Sequence, residues 1–329
     1  MHATTRRNAL FAPLALSTAL LLAPRRGFAQ KYPSQPIRIV VGGAAGSVPD
    51  TLTRLVADRL SPVLGQPVLT ENRPGAGGAI AISSLLAAAP DGHTLAIATM
   101  SQAVFNSYLF SKLSYNPLRD LEPVAPLVSG AMAIAANAAF PANTFAEFVA
   151  LARSKPDTVL VGTPSVGSPP HVFANLLVRA ANIKVTLVPY TSGPEGITGV
   201  MRGDVQIFVD APTIIAPQVK AGSIKVLAVS GRSRDDQLPE VPTIAEAGLP
   251  AAQAEAWIGL VAPAHTPTPV VERLNREIVA ILKDPEFRRR LAVLSFVPVT
   301  ASPEEFRKLI QAEHQRWGAV IREAGIHLD

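Results

Sequence analysis

Two loops rich in glycine, alanine and serine carry the residues best suited to hold a ligand. Ala44, Ala45, Gly46, Ser47 and Asp50 follow the strand-like run Ile37–Val41, while Thr163, Ser165, Gly167, Ser168 and His171 follow the run 158–162. Each loop leads into a helix start, where unpaired backbone N–H groups and the helix dipole favour an anion. Neither loop contains Lys or Arg. The chemistry this predicts is capture of a small acid by amides and hydroxyls from two places in the fold, without a cationic cage. Asp210 is the most suggestive single charge. It ends a strand-like run just before Ala211-Pro212, where ligands bind in α/β sheets and where an N-cap is equally at home.

Other chemistries fit poorly. Ser165 is the best nucleophile for a hydrolase, yet Thr163 stands where a nucleophile elbow needs glycine, and no Asp and His follow in recognisable order. The histidines beyond residue 30, at 93, 171, 265, 314 and 327, show no metal-ligand spacing. Gly42, Gly43 and Gly46 form neither a dinucleotide fingerprint nor a phosphate loop. A binding protein without metal or cofactor is expected rather than an enzyme.

The elements that position these loops read as an α/β chain. Strand-like runs at 37–41, 94–99, 158–162, 205–209 and 224–229 alternate with helical patterns at 50–64, 79–88, 144–154, 169–180 and 194–202. That alternation predicts mainly parallel sheets flanked by helices. Long helical patterns follow at 268–283, 285–294 and 303–324. Capping boxes are predicted at Ser47/Asp50, Thr144/Glu147, Ser192/Glu195 and Ser302/Glu305, and Ser168 before Pro169 reads as an N-cap with proline in the first turn.

The chain of 329 residues, 48% apolar and 17% charged, suffices for two domains with good cores. Residues 1–29 read as an export signal: Arg6-Arg7, an apolar stretch from Ala9 to Ala23, and a small-residue cleavage site after Ala29. Both twin-arginine and Sec export fit, and the destination is the periplasm. Removing its four arginines and no acids lowers the formal charge from +5 to +1. So small a charge argues against nucleic acid, which needs a basic face. There is no cysteine, so stability rests on the core, and a lipid-anchored Cys after the leader is excluded.

Seven blocks in order then resemble the Bug family of periplasmic solute receptors, the substrate-binding components of tripartite tricarboxylate transporters. They include 72–78 (Asn-Arg-Pro-Gly-Ala-Gly-Gly), 89–95 (Ala-Pro-Asp-Gly-His-Thr-Leu), 166–171, 188–190 and 241–248 (Val-Pro-Thr-Ile-Ala-Glu-Ala-Gly). The resemblance implies a two-lobed, Venus-flytrap binding protein of periplasmic type II, with one lobe from 31–128 plus 229–329 and the other from 129–228. It implies a monomer that takes a small carboxylate in the cleft and delivers it to membrane subunits of the transporter. Ligand contacts are then expected from the two loops and from Ser101, Tyr190, Thr191 and Asp210. A sensor subunit that presents its closed form to a signalling partner would share that pocket. The chain departs from the family in lacking an aromatic in its first loop, which predicts either a roomier pocket or a different ligand, and in carrying Thr191-Ser192 where a Lys-Gly is common.

Overall fold

A computed structural model describes residues 32–328; the export signal and its cleavage after Ala29 lie outside the described residues. The chain builds a first sheet from β1 (Ile37–Val41), β2 (Val68–Asn72), β3 (Thr94–Thr99) and β4 (Leu121–Gly130). It crosses to a second sheet of β5 (Ala133–Asn137), β6 (Leu160–Thr163), β7 (Thr186–Pro189), β8 (Ile207–Asp210) and β9 (Ile224–Val229). It then returns to the first with β10 (Ala256–Pro263) and β11 (Val297–Pro298). The spatial orders are β11-β4-β10-β3-β1-β2 and β7-β6-β8-β5-β9.

The sheets are mixed rather than mainly parallel. The strand–helix–strand repeats are parallel as expected: β1 with β2 and β3, and β6 with β7 and β8. The crossing segments enter the other way. β5 is antiparallel to β8 and β9, and the returning β10 is antiparallel to β3 and β4. A strand that arrives directly from the other sheet has no crossover helix to force it parallel.

Helices α1 (Val48–Leu64), α2 (Ala79–Leu86), α3 (Asn106–Leu109), α4 (Pro117–Asp120), α5 (Phe145–Ser154), α6 (Pro169–Ala180), α7 (Gly193–Arg202), α8 (Pro212–Lys220), α9 (Thr268–Lys283), α10 (Pro285–Val293) and α11 (Pro303–Ala324) flank the sheets. Their starts follow the capping chemistry unevenly. Thr144 and Ser302 form complete boxes with Glu147 and Glu305. Ser192 accepts from the Glu195 amide, but the Glu195 carboxylate turns to the Thr191 amide at 3.0 Å. Ser47 makes no cap bond at all.

Two segments cross between the sheets, and Ser230 ties them together. Its buried hydroxyl donates to the Ala254 carbonyl at 2.6 Å and accepts from the Met132 amide at 2.8 Å. Backbone bonds from Ser230 N to Met132 O and from Ala254 N to Ser230 O complete the clamp. Away from it, α11 packs on β4 and on α6, where Arg179 and Glu323 form an ion pair between the two halves.

Candidate functional site

A cavity of about 300 Å³ lies between the two sheets, at the lower end of the range of small-molecule sites. Gly42, Gly43, Val48 and Pro49 line it from the first loop, Pro169 and Pro170 from the second, and Asp210 to Pro212 from the end of β8. Gly130 to Met132, in the first crossing segment, close it, and among the described residues no Lys or Arg lines it.

The first loop is braced from behind. Asp50, 2% exposed, accepts from the Gly46 amide at 2.8 Å, the Asn72 side-chain amide at 2.9 Å and Arg54 Nε at 3.1 Å. Burial alone would push its carboxyl up, but these donors and the Arg54 charge more than offset it and hold it below the usual carboxylate range. Asp50 is thus turned inward, to the loop and not to the cavity. Bare backbone at 42 and 43 is needed for close approach. A Cβ on Gly42 would fall 2.8 Å from Gly78 Cα, and one on Gly43 would fall 2.5 Å from Ser47 Oγ. That Oγ is buried and unpaired. Pro49 has no amide, the Val48 and Asp50 amides receive no side-chain cap, and the Gly46 amide is spent on Asp50. The α1 end therefore keeps open donors beside an orphaned hydroxyl.

In the second loop the start of α6 does not supply the expected free amides. Pro169 and Pro170 carry no N–H, the His171 amide donates to Ser168 Oγ at 3.4 Å, and the Val172 amide donates to the Ser168 carbonyl at 3.0 Å. Gly167 donates to His171 Nδ1 at 3.3 Å and Ser168 to the Ser165 carbonyl at 3.0 Å. The first turn of α6 is thereby closed to an anion, because two prolines and a true N-cap consume what the sequence promised as free amides. His171 is held neutral, its pKa lowered by burial, and with Nδ1 accepting, the ring proton sits on Nε2. Thr163 Oγ1, fully buried at the end of β6, makes no hydrogen bond.

The remaining expected side chains are scattered. Ala44, Ala45, Gly46 and Ser165 are exposed. Ser165 Oγ donates to the Thr191 carbonyl at 3.2 Å, and Thr191 bonds Glu195, so no histidine activates Ser165. Tyr190 stands edge-on to Phe208 at 6.3 Å and packs over Gly199. Ser101 Oγ reaches the Gly167 carbonyl at 3.5 Å, a contact between the two halves. Asp210 alone among these side chains lines the cavity. Its Oδ1 accepts from the Ala211 amide at 2.7 Å, and burial pushes its carboxyl up to about 6.

Sequence reasoning missed Gln102, Met132, Trp257 and Phe296, which all line the cavity. Gln102 sits in a π-helical stretch, Ser101–Phe105, directly after β3. Its Oε1 accepts from Thr99 N and Oγ1 at 2.8 and 2.6 Å, and its Nε2 donates to the Gly77 carbonyl at 2.9 Å. A Cβ on Gly78 would overlap that side chain, 2.0 Å from Nε2. The glycine run at 75–78 was the visible signal that something bulky must approach there. Trp257 and Phe296 supply aromatic walls from β10 and from the segment before β11, so the aromatic absent from the first loop does not leave an open, unwalled cleft.

The chain matches the Tripartite tricarboxylate transporter family receptor over residues 52–326. It is 36% identical, over 98% of its length and 93% of the relative's, to the UPF0065 protein in the TAR-I ttuE-ttuC' intergenic region of Agrobacterium vitis. Among solved structures it resembles R. palustris Rpa4515 with adipate, at 30% identity and a TM-score of 0.81, over 90% of this chain and all of that one. It also resembles MatC from Rhodopseudomonas palustris with bound malate, at 33% identity and a TM-score of 0.76, over 88% of this chain and all of that one.

Proposed function

The chain belongs to the tripartite tricarboxylate transporter family of receptors, and from that premise we propose that it takes a small carboxylate into the cleft between its halves and hands it to membrane subunits of a transporter. The observation that carries the binding mode is the uncapped start of α1. Val48, its amide uncapped, lines the cavity together with Gly43, and the orphaned Ser47 hydroxyl lies against Gly43. A carboxylate there satisfies donors that otherwise remain unmatched. Thr163 Oγ1, orphaned in the other half, supplies a second donor once the halves close on the ligand.

The fold divides for this purpose into a lobe of 31–128 with 229–329 and a lobe of 129–228. Contacts from both favour the closed state, and only that differential affinity drives closure. The protein acts as a monomer in the periplasm after a leader ending at Ala29 is removed, by either the twin-arginine or the Sec route. Fold and family support a receptor rather than an enzyme.

The test is a thermal-shift screen of the refolded mature chain against carboxylic acids and their matched neutral amides. A ligand at ~100 times its Kd adds about 2.7 kcal/mol of stability. Acids that shift the melt while their amides do not support the reading; equal shifts from both, or none, refute it. Gly43→Ala, which forces a methyl against Ser47 Oγ, is expected to weaken the effective acids at least tenfold while leaving the apo melting temperature within a few degrees.

A further inference from the structure

The cavity is chemically lopsided. Its walls are mostly apolar side chains, among them Ile97, Met132, Ile258 and Phe296, with Thr99, Gln102, Ser295 and the unpaired Trp257 indole N–H as the uncharged polar groups, and among the described residues Asp210 is the one ionisable side chain that lines it. Asp210 is 8% exposed and has a single hydrogen-bond donor, the Ala211 amide. Among the described residues no cation answers it. On α7, Glu195 is turned to Thr191, and the Lys220 of α8 lies at the far end of that helix. His171 on α6 is spent on Gly167 and buried neutral, and behind the first loop, away from the cavity, Asp50 is paired to Arg54. A buried carboxylate left with spare acceptor capacity in an apolar cleft lacks a donor that the protein itself does not supply.

Resting on the carboxylate-receptor reading above, we infer that the ligand of this cleft is a monocarboxylate whose apolar body carries a hydrogen-bond donor, hydroxyl or ammonium, to the Asp210 carboxylate, and that dicarboxylates are disfavoured. One carboxylate is met by the start of α1. A second would face apolar wall, uncharged donors such as the unpaired Trp257 N–H, or Asp210, with no cation among the described residues lining the cavity to balance it, and two like charges in a desolvated site force one of them to take up a proton. The adipate and malate carried by the neighbouring structures would therefore bind here only with proton uptake. Since burial holds Asp210 near 6 in the free protein, that uptake makes diacid affinity fall as pH rises above 6, by up to tenfold per pH unit. A donor-bearing monoacid keeps or gains affinity over the same range.

The experiment is calorimetric titration of the full mature chain at pH 6 and pH 8 with straight-chain acids of three to eight carbons. Each chain length is presented as the parent acid, its hydroxy and amino derivatives at either end, and its diacid. The expected result is at least one hydroxy or amino acid binding tenfold or more tighter at pH 8 than both its parent and its diacid. Salt sensitivity of that preference identifies ammonium, and its absence identifies hydroxyl. In Asp210→Asn, which keeps an acceptor for the Ala211 amide, the preference should shrink below threefold and the pH dependence of the diacids should vanish, with the apo melt reporting that the variant folds. Diacids binding tightest at pH 8, or ligand preferences unchanged by Asp210→Asn, overturn this inference and leave the receptor reading standing. Failure of every acid to bind overturns both.

Discussion

At the scale of single residues, Asp210 and Asp50 show how burial and partners shift two carboxyl groups in opposite directions. The Asp210 carboxyl sits near 6 against an ordinary value near 3.9, so folding disfavours its charged form. That penalty is absent below about pH 4, grows between the two values and is complete above about 6, where two units correspond to roughly 3 kcal/mol. Asp210→Asn mimics the protonated acid. It should stabilise the ligand-free protein by up to about 3 kcal/mol at pH 8 and hardly at all at pH 4, as read by urea denaturation at each pH. Asp50 behaves in reverse. Its carboxyl is held low, so its contribution is present above the ordinary carboxylate range and lost as pH falls through its folded value. Asp50→Ala removes the acceptor of the Gly46 and Asn72 donors and should cost about 2–3 kcal/mol at pH 7. The half-exposed Arg54 partner adds little to that figure.

At the scale of elements, the most telling comparison is between helix starts that look alike in sequence. Ser302 caps α11 through both halves of a capping box, and Ser302→Ala should cost about 1 kcal/mol. Ser47 occupies the same position on α1 and caps nothing. Ser47→Ala should therefore leave thermal stability nearly unchanged while weakening carboxylate binding about tenfold; parallel melts and titrations of the two variants check the pair. The helices themselves were legible because caps, prolines and apolar periodicity agree, and five strands were visible as β-branched runs. β4 was not, because Pro123 and Pro126 interrupt it. The structure accommodates them where the β4–β10 register slips, with Pro126 opposite Gly259 and Pro123 opposite Val261. β10 was missed because nearly all of it is buried and apolar, which leaves no period of two to read. The cleft was half legible for the same reason. Asp210 and the first loop announce themselves locally, whereas Trp257, Phe296 and Met132 reach the cavity only through strand order. The closed start of α6 was partly legible, because Ser168 and Pro169 read as an N-cap with proline in the first turn; the sequence does not say that His171 would fold back onto Gly167.

At the scale of the molecule, the cavity and the segments crossing between the sheets share residues. Met132 lines the cavity and also donates its amide to Ser230, whose hydroxyl holds Ala254. Ser230→Ala strands a buried donor and a buried acceptor together, so a loss of about 2 kcal/mol or more is expected. Ligand affinity should fall with it, since the cavity floor loses its anchor. Native-state hydrogen exchange should show the Met132 and Ala254 amides losing protection before the sheet interiors do.

The position of β10 also bears on how such a chain comes to be folded. It is the strand between β3 and β4, yet it is synthesised more than 120 residues after them. Until it arrives, the first sheet exists as two fragments, β2-β1-β3 and β4 alone, with unpaired edges facing each other across an empty slot. The second sheet, contiguous between residues 133 and 229, has no such debt and can close on its own. Assembly is thus ordered by topology: the middle of the chain matures early, while the first sheet waits on a late, long-range insertion that is intrinsically slow. Such a delay keeps a nascent chain loose for as long as its C-terminal quarter is missing. A ribosome-bound fragment ending before residue 256 would be expected to present those edges to chaperones rather than to fold.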